Sequence, residues 1–320
     1  MMNVEDFKNY FNNEFVDKPY YPLSAFFKKH FGHKVYKISL DGNFTCPNRD
    51  GTISTGGCIF CRNRAFVRHL EQDIMSITEQ IELGAHNLNI RYKNANYFIA
   101  YFQAFSNTYK SLYELKKLYY EALNNPLIVG IAIGTRPDCL DDDILKLLSD
   151  LASKTHLWLE IGLQSKHNES LEYINRGHNS QIYYDIVKKC KNIYNLNICT
   201  HIILGLPGET EEMMKASVNY AIEAGTDAIK LHHLQVIKDT KLENIYLKNN
   251  LKVLNFNEYI KLLGNILEII PKHIIMQRMF AECSSDILVA PIWNLTKGEL
   301  NKGLDNYLIE NDIFQGKKLL

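Results

Sequence analysis

The sequence lacks an excess of charge, a long apolar run and a secretory start. Its 36 basic and 36 acidic residues give a formal net charge of zero, so no global field favours nucleic acid or a membrane surface. No apolar run approaches the ~20 residues of a membrane span. The polar, acidic N-terminus carries no apolar segment typical of a signal peptide. These absences lead us to expect a cytoplasmic protein without a membrane partner.

Low-complexity segments, internal repeats and a Pro- or Gly-rich linker are also absent. Apolar residues make up 46% of the 320 residues, which suffices for a sizeable core. We therefore expect one main domain with terminal extensions rather than two independent domains.

Cysteine is the residue type that is present in an informative pattern. The total of seven is odd, which argues against a disulfide framework. Cys46, Cys58 and Cys61 lie close together, with eleven residues between the first two and two between the last pair. An iron–sulfur cube that only carries electrons takes four cysteine ligands. Three thiolates would leave one iron open to substrate, which is expected of an enzyme.

Two other interpretations of these cysteines stay open on the motif alone. A Cys-x-x-Cys pair is common in zinc sites, and His69 could supply a fourth ligand. Cysteines are also often inert buried side chains. The rest of the chain must decide between the three interpretations.

Short apolar segments alternate with amphipathic ones, which predicts parallel strands buried on both faces and covered by helices. The strands are predicted at 35–40, 97–103, 128–134, 157–164, 198–204 and 228–235, and the helices at 78–93, 111–123, 141–153, 168–174, 180–194 and 211–224. Six strand–helix units are fewer than the eight that close a TIM barrel. The predicted fold is therefore α/β, an open partial (β/α)6 TIM-like barrel.

On this basis we divide the chain into three predicted parts. Residues 1–34 form an N-terminal extension, and 35–237 form the barrel core. Residues 238–320 form a C-terminal extension packed on the core, with a helix near 255–270 and a candidate strand at 273–280.

Polar residues follow every predicted strand, at the edge where parallel β/α folds gather their active sites. Glu160 differs from the others because it lies within an apolar strand, where an unpaired carboxylate is costly. It needs a donor, which ligand hydroxyls or an ammonium would supply. The alternative is a structural pair with an arginine.

Further motifs occur along the chain beside the cysteine loop. The segments are 36–52, 103–108, 160–165, 175–178, 205–210, 278, 290–293 and 315–317. In combination they resemble the radical S-adenosylmethionine (SAM) superfamily, and more closely a bacterial family with an Elongator-type radical SAM domain. The departure is the first cysteine gap, which has eleven residues instead of the usual three. A longer loop still lets the sulfurs converge, and it can carry extra contacts such as Asn48, Arg49 and Asp50.

The resemblance implies that Cys46, Cys58 and Cys61 bind three irons of a [4Fe–4S] cluster, while the amine and carboxylate of SAM bind the fourth. The residues it assigns to SAM are Phe60 near the adenine, Gln103, Ser106 and Asn107 at the amino group, Thr135 and Arg136 beside the ligand, Glu160 at the ribose, Arg176 at the carboxylate with Gln164 close by, and Ile203 and Gly205 on the adenine side.

The resemblance also implies the chemistry. One electron from the reduced cluster cleaves SAM to methionine and a 5′-deoxyadenosyl radical, which abstracts a hydrogen atom from substrate. The protein binds, tunes the potential and excludes solvent. Such an enzyme is oxygen-sensitive and needs a low-potential electron donor of the flavodoxin or ferredoxin type.

Lys230 and His232, at the end of the sixth predicted strand, are the candidate catalytic residues. Either could move a proton while the substrate radical is quenched. The alternative is that strand alternation directs one of the neighbouring histidines into helix packing. Arg278, in an apolar segment, is expected to pair with a substrate anion or with a carboxylate of the chain.

Elongator-type radical SAM domains are associated with wobble-uridine modification, so the expected substrate is the C5 position of a tRNA uridine or a substituent there. A patch at Arg62, Arg64 and Arg68 could meet phosphates. Two other classes stay open. One is a radical enzyme acting on a small metabolite or cofactor precursor, and the other is a zinc-dependent RNA-binding module.

Overall fold

The computed structural model describes residues 2–62, 75–248 and 251–320. Three residues that the sequence analysis singled out, Arg64, Arg68 and His69, lie outside these ranges. Within the described part, no helix combines the length and apolar character needed to cross a bilayer.

A seven-stranded parallel sheet forms the centre of the molecule, in the order β1-β2-β3-β4-β5-β6-β8. The strands are β1 Tyr36–Leu40, β2 Phe98–Phe102, β3 Ile128–Thr135, β4 His156–Gln164, β5 Asn197–Leu204, β6 Ala228–His233 and β8 Ile275–Arg278. A second, antiparallel pair consists of β7 Val236–Ile237 and β9 Leu288–Ala290. The central strands are buried on both faces because helices cover one face and the other faces the barrel interior, where Glu160 and Lys230 interrupt the apolar pattern.

Eleven α-helices are found in the described ranges. They are α1 Val4–Phe11, α2 Leu23–Phe31, α3 Ile77–Tyr92, α4 Leu112–Leu123, α5 Asp142–Ala152, α6 Asn168–Tyr173, α7 Ser180–Asn192, α8 Glu211–Ala224, α9 Lys241–Leu247, α10 Phe256–Leu267 and α11 Lys297–Glu310. Several begin where the sequence offers a capping box; α4, for example, starts at Ser111, whose side chain bonds the Glu114 backbone while Glu114 bonds back. The strand–helix alternation expected from the sequence is confirmed.

The sheet has one strand more than the six predicted for the core. Strand β8 pairs in parallel with β6, with Lys230 opposite Arg278. It comes from the region assigned to the C-terminal extension, where a strand at 273–280 was expected but not placed in the sheet. The extension therefore completes the barrel wall, and the boundaries at 34 and 237 stay predictions.

The sheet curls into a half-barrel whose two edge strands are bridged by side chains. Lys37 of β1 donates to the Gln277 side chain of β8 at 2.8 Å. The other end of the barrel is closed by α2, where Phe27 packs with an apolar layer that includes Ile99 and Trp158. In the described part of the chain, the cavities of the polar interior lie at the carboxyl ends of the strands and beside β1 and β8.

Candidate active site

Three cysteines meet beside the carboxyl end of the sheet. Cys46, Cys58 and Cys61 line one cavity of about 230 Å³. The N–H of Arg49 donates to the Cys46 carbonyl at 2.8 Å, and the N–H of Cys61 donates to the Cys58 carbonyl at 3.0 Å. These tight turns orient the thiols, and the widened spacing does not prevent them from converging.

The spread of the cysteine sulfurs fits a cluster better than a single zinc ion. In a tetrahedral zinc site, sulfurs about 2.3 Å from the metal lie roughly 3.8 Å apart. In the described part of the chain, the one group of three His, Cys, Asp or Glu ligand atoms that all lie within 4.8 Å of one another is Glu160, Cys199 and His201. At least one pair of the three cysteine sulfurs is therefore more than 4.8 Å apart, which is wider than a tetrahedral zinc site allows.

The electrostatics of the cysteine pocket disfavour three thiolates when no cation is bound. Burial raises the pKa of Cys61 to about 12, and Cys58 and Cys46 add to the rise, while Arg49 and Arg176 oppose it. Three thiolates in such a pocket are stable only when a metal compensates their charge. Iron does so in a [4Fe–4S] cluster.

Hydrogen bonds connect the long loop between the first two cysteines to the turn that precedes α7. Asn48 is fully buried, and its side-chain N–H donates to the Asn175 carbonyl at 2.6 Å and to the Cys58 sulfur at 3.7 Å. Arg176, from the same turn, donates to that sulfur at 3.8 Å and to the Gly162 carbonyl at 2.8 Å. The Cys58 sulfur thus accepts two N–H groups, one from Asn48 in the loop and one from Arg176 in the turn.

Replacing Asn48 by Leu is expected to lower the reduction potential of the cluster. Donors to the sulfurs stabilise the reduced, more negative state. A bond worth about 1 kcal/mol corresponds to roughly 40 mV for one electron. Potentiometric titration followed by EPR measures the shift, with Thr52→Val as the control because the Thr52 hydroxyl bonds Tyr109 at 2.9 Å in the same loop. Equal potentials in Asn48→Leu and the wild type would contradict this role.

Most residues that the resemblance assigns to SAM share the cavity with the cysteines. They are Phe60, Gln103, Ser106, Thr135, Arg136, Glu160, Gln164, Arg176 and Ile203, together with the candidate catalytic residue His232. Asn107, Gly205 and Lys230 do not line it. Asn107 instead donates to the Gly134 carbonyl at 2.7 Å and braces the end of β3, and Gly205 adopts a φ of 86° in the turn after β5. The roles of all these residues stay predictions.

Four buried polar atoms on the cavity wall have no partner in the described chain. They are Ser106 Oγ, Arg176 Nε, His232 Nε2 and Arg278 Nε. An unsatisfied buried group costs about 1–3 kcal/mol, so such atoms are rare unless a ligand meets them. The three N–H groups need acceptors, such as a carboxylate or ribose oxygen of SAM or an oxygen of the substrate, and the Ser106 hydroxyl can accept from an amine.

Arg136, by contrast, is fully engaged by the chain itself. Its Nε and Nη2 donate to the Asp138 carboxylate at 2.9 and 2.6 Å, and its Nη1 donates to the Arg176 carbonyl at 2.8 Å. Thr135, which the resemblance places beside the ligand, forms a hydrogen bond with the Thr108 hydroxyl at 2.6 Å. Both residues therefore stabilise the carboxyl end of β3. Arg136 also fixes the turn that contains Arg176.

Glu160 lies in β4 with its carboxylate buried inside the barrel. One oxygen accepts from Lys37 at 2.7 Å, and the other accepts from His201 Nε2 at 2.9 Å and from Lys230. Lys230 also donates to the Tyr101 hydroxyl at 3.0 Å. The donor that Glu160 requires thus comes from two lysines and a histidine rather than from an arginine. We call Lys37, Glu160, His201 and Lys230 the core ion cluster.

Mutual contacts fix the charges in the core ion cluster. Burial raises the pKa of Glu160, but Lys230 and Lys37 outweigh it and hold that pKa well below the usual range. Burial lowers the pKa of Lys230 to about 8 although Glu160 opposes the shift. Burial and Lys230 lower the pKa of His201 to about 4, so its ring is neutral. Because both carboxylate oxygens are already bonded to ammonium groups, this is an ion cluster rather than a metal site.

Lys37 and His201 are the functional-site neighbours that the sequence analysis missed. A signal for them exists, because alternate residues of a strand point to the same face. His201 lies opposite Lys230 in the pairing of β5 with β6. Recognising them as partners requires the strand register, which the apolar pattern does not give.

The curled parallel sheet, with three cysteines and a polar cavity at its carboxyl edge, defines the partial-barrel class of iron–sulfur enzymes. The Radical SAM superfamily model matches residues 50–221, and the Radical_SAM C-terminal domain model matches residues 226–310. The chain belongs to the radical SAM superfamily. As a member of this superfamily it is an enzyme that uses a [4Fe–4S] cluster and SAM and needs an electron donor.

The chain is similar to other proteins over part or nearly all of its length. The protein YtqA of Bacillus subtilis is 36% identical over 313 residues, which covers 96% of each chain. A tRNA uridine(34) acetyltransferase of Methanocaldococcus infernus is 27% identical over 197 residues, 60% of this chain and 35% of that protein. The structure of Elp3 from the same archaeon has a TM-score of 0.68 at 17% identity and covers 88% of this chain and 64% of that one. The Elp3 likeness shows the fold alone.

Proposed function

We propose that this radical SAM enzyme modifies the C5 position of a tRNA wobble uridine, or a substituent at that position. The similarity to a tRNA uridine(34) acetyltransferase over 60% of the chain supports a uridine in tRNA as the target. Radical chemistry suits such a target because it activates C–H bonds that acid–base catalysis cannot.

The observation that carries the proposal is a second, larger cavity joined to the cysteine pocket. It has a volume of about 1040 Å³ and shares Tyr101, Gln103 and Arg278 with the smaller cavity. Its rim includes the exposed side chains of Arg91 and Ile292. Drug-sized ligands occupy pockets of about 300–1,000 Å³. The space accommodates a nucleotide that enters from the surface and meets SAM at the shared wall.

Within this proposal the residues of the chain bind and orient the reactants. The three cysteines hold the cluster, and Ser106 and Arg176 offer their unpartnered atoms to SAM. When bound, the cluster and SAM supply a 5′-deoxyadenosyl radical that abstracts a hydrogen atom. Lys230 is the proposed group that gives or takes a proton at the substrate, because a pKa of about 8 suits proton transfer near neutral pH. His232 is the second candidate for this role.

The proposed partners follow from the same chemistry. A flavodoxin or ferredoxin would deliver the electron, since a low-potential one-electron donor is required. The cytoplasmic location expected from the sequence stays a prediction.

Deleting the gene is expected to remove one modified wobble nucleoside from total tRNA and to leave its precursor in its place. Mass spectrometry of nucleosides from digested tRNA measures both changes. Wild-type protein restores the nucleoside in the deletion strain. The Cys58→Ala variant does not, because it cannot hold the cluster.

An unchanged nucleoside profile in the deletion strain would remove the tRNA proposal. Accumulation of a small molecule in the metabolome of that strain, with intact tRNA, would support the alternative substrate class, a small metabolite or cofactor precursor.

A further inference from the structure

Arg278 is an interior arginine without a carboxylate partner in the described chain. Its Nη2 donates to His232 Nδ1 at 3.0 Å, while its Nε has no partner. A guanidinium group has donors only, so His232 Nδ1 must accept and the ring proton must sit on Nε2. That Nε2–H is also buried without a partner. Two N–H donors on side chains that contact each other therefore have no acceptor in the described chain.

Arg278 lies where the two cavities meet. It lines both the cysteine pocket and the cavity of about 1040 Å³, whereas His232 lines the cysteine pocket. A molecule that fills the large cavity and extends towards the cysteines would therefore contact both donors.

The fixed charge around these donors is positive. The core ion cluster carries two ammonium groups and one carboxylate, and Arg278 adds a further positive charge. Glu282 also lines both cavities, but it pairs with Lys297 at 2.6 Å. Uncompensated charge in a low-dielectric interior is costly, and an anionic ligand would offset it.

We propose that Arg278 and His232 form an anion-binding subsite that takes a carboxylate or a phosphate of the substrate. The Arg278 Nε–H and the His232 Nε2–H donate to the anion, and the guanidinium supplies the charge. The subsite rests on the proposed function. Within it, the anion is either an acidic group on the uridine C5 substituent or the phosphate of the nucleotide.

The test compares two matched pairs of nucleosides on the SAM-loaded holoenzyme by anaerobic calorimetry. The first pair is 5-carboxyuridine and its neutral amide, and the second is uridine 5′-monophosphate and uridine. The wild type is expected to bind the anionic member of one pair about tenfold or more tightly. A charge-assisted hydrogen bond contributes binding free energy of that size. Arg278→Gln is expected to abolish the preference.

Two further variants control for charge and folding. Arg278→Lys keeps the charge but loses the Nε–H, so it is expected to retain part of the preference. It is also the variant to use if Arg278→Gln does not fold. Lys146→Gln removes an exposed positive charge from helix α5, which lines neither cavity at this position, and is expected to leave the preference intact. Near-UV circular dichroism and iron content report whether each variant is folded.

Each outcome decides the proposal. A preference that Arg278→Gln abolishes supports the subsite, and the pair that shows it identifies the source of the anion. Equal binding within both pairs, or a preference that survives in Arg278→Gln, overturns it. If none of the four nucleosides binds, the uridine proposal fails. Inorganic phosphate and acetate then decide the subsite: tenfold weaker binding to Arg278→Gln supports it, and equal binding overturns it.

Discussion

Replacing Cys58 by Ala is expected to leave no detectable reductive cleavage of SAM to 5′-deoxyadenosine under dithionite. Cys58 is the most buried of the three clustered cysteines and accepts N–H donors from Asn48 and Arg176. Without its thiolate the cluster loses one of its three protein ligands. The measurement is chromatographic detection of 5′-deoxyadenosine after anaerobic reconstitution, together with the iron content of each preparation.

The matched control is Cys190→Ala, since Cys190 is buried in helix α7 away from the cysteine pocket. This variant is expected to keep its iron and its cleavage activity. Full cleavage activity in Cys58→Ala would defeat the assignment of the three cysteines.

Replacing Glu160 by Gln is expected to destabilise the protein by about 3–5 kcal/mol, because it leaves the buried Lys230 ammonium and the partly buried Lys37 ammonium without their counter-charge. Lys37 and Lys230 both donate to the Glu160 carboxylate. Urea unfolding of the protein measures the change. The ribose role implied by the sequence adds a second expectation, that Glu160→Ala weakens SAM binding while the iron content stays the same.

A double variant separates lost charge balance from lost packing. Adding Lys230→Met to Glu160→Gln removes one of the stranded cations, the ammonium that lies 4.4 Å from the centroid of the Tyr101 ring, and keeps an unbranched apolar side chain at that position. The double variant is therefore expected to recover at least about 1 kcal/mol relative to Glu160→Gln alone. If Glu160→Gln unfolds at the same urea concentration as the wild type, the core ion cluster contributes no stability.

The strands of the barrel could be predicted closely because the apolar pattern determines them. The expected strands at 128–134 and 198–204 correspond to β3 Ile128–Thr135 and β5 Asn197–Leu204. Strands buried on both faces must be almost continuously apolar, so the signal is strong. The convergence of the strand ends on one edge follows from parallel pairing alone.

The place of β8 could not be predicted because it depends on packing between distant parts of the chain. Ile275–Arg278 is short, and nothing in its own sequence states that it pairs with β6 rather than with β7 or β9. Pairing with β6 buries Ile275 in the apolar layer closed by α2. The parallel register also places Arg278 opposite Lys230 of β6.

The surroundings of Glu160 show a second limit of the sequence. Its burial could be predicted from the apolar strand that contains it, and its need for a donor follows from the cost of an unpaired charge. The identity of that donor could not be predicted, since Lys37 is 123 residues away in the chain and Lys230 is 70 residues away. Only the curl of the sheet brings three strands to one carboxylate.

The most direct test of the account is the EPR spectrum of the dithionite-reduced, anaerobically reconstituted protein before and after SAM is added. We predict a spin-half iron–sulfur signal from a cluster of about four irons per chain. We also predict that its g values shift when the amine and carboxylate of SAM reach the iron that no cysteine binds. A silent spectrum from a protein that carries zinc, or an iron–sulfur signal that SAM leaves unchanged, would contradict the central claim.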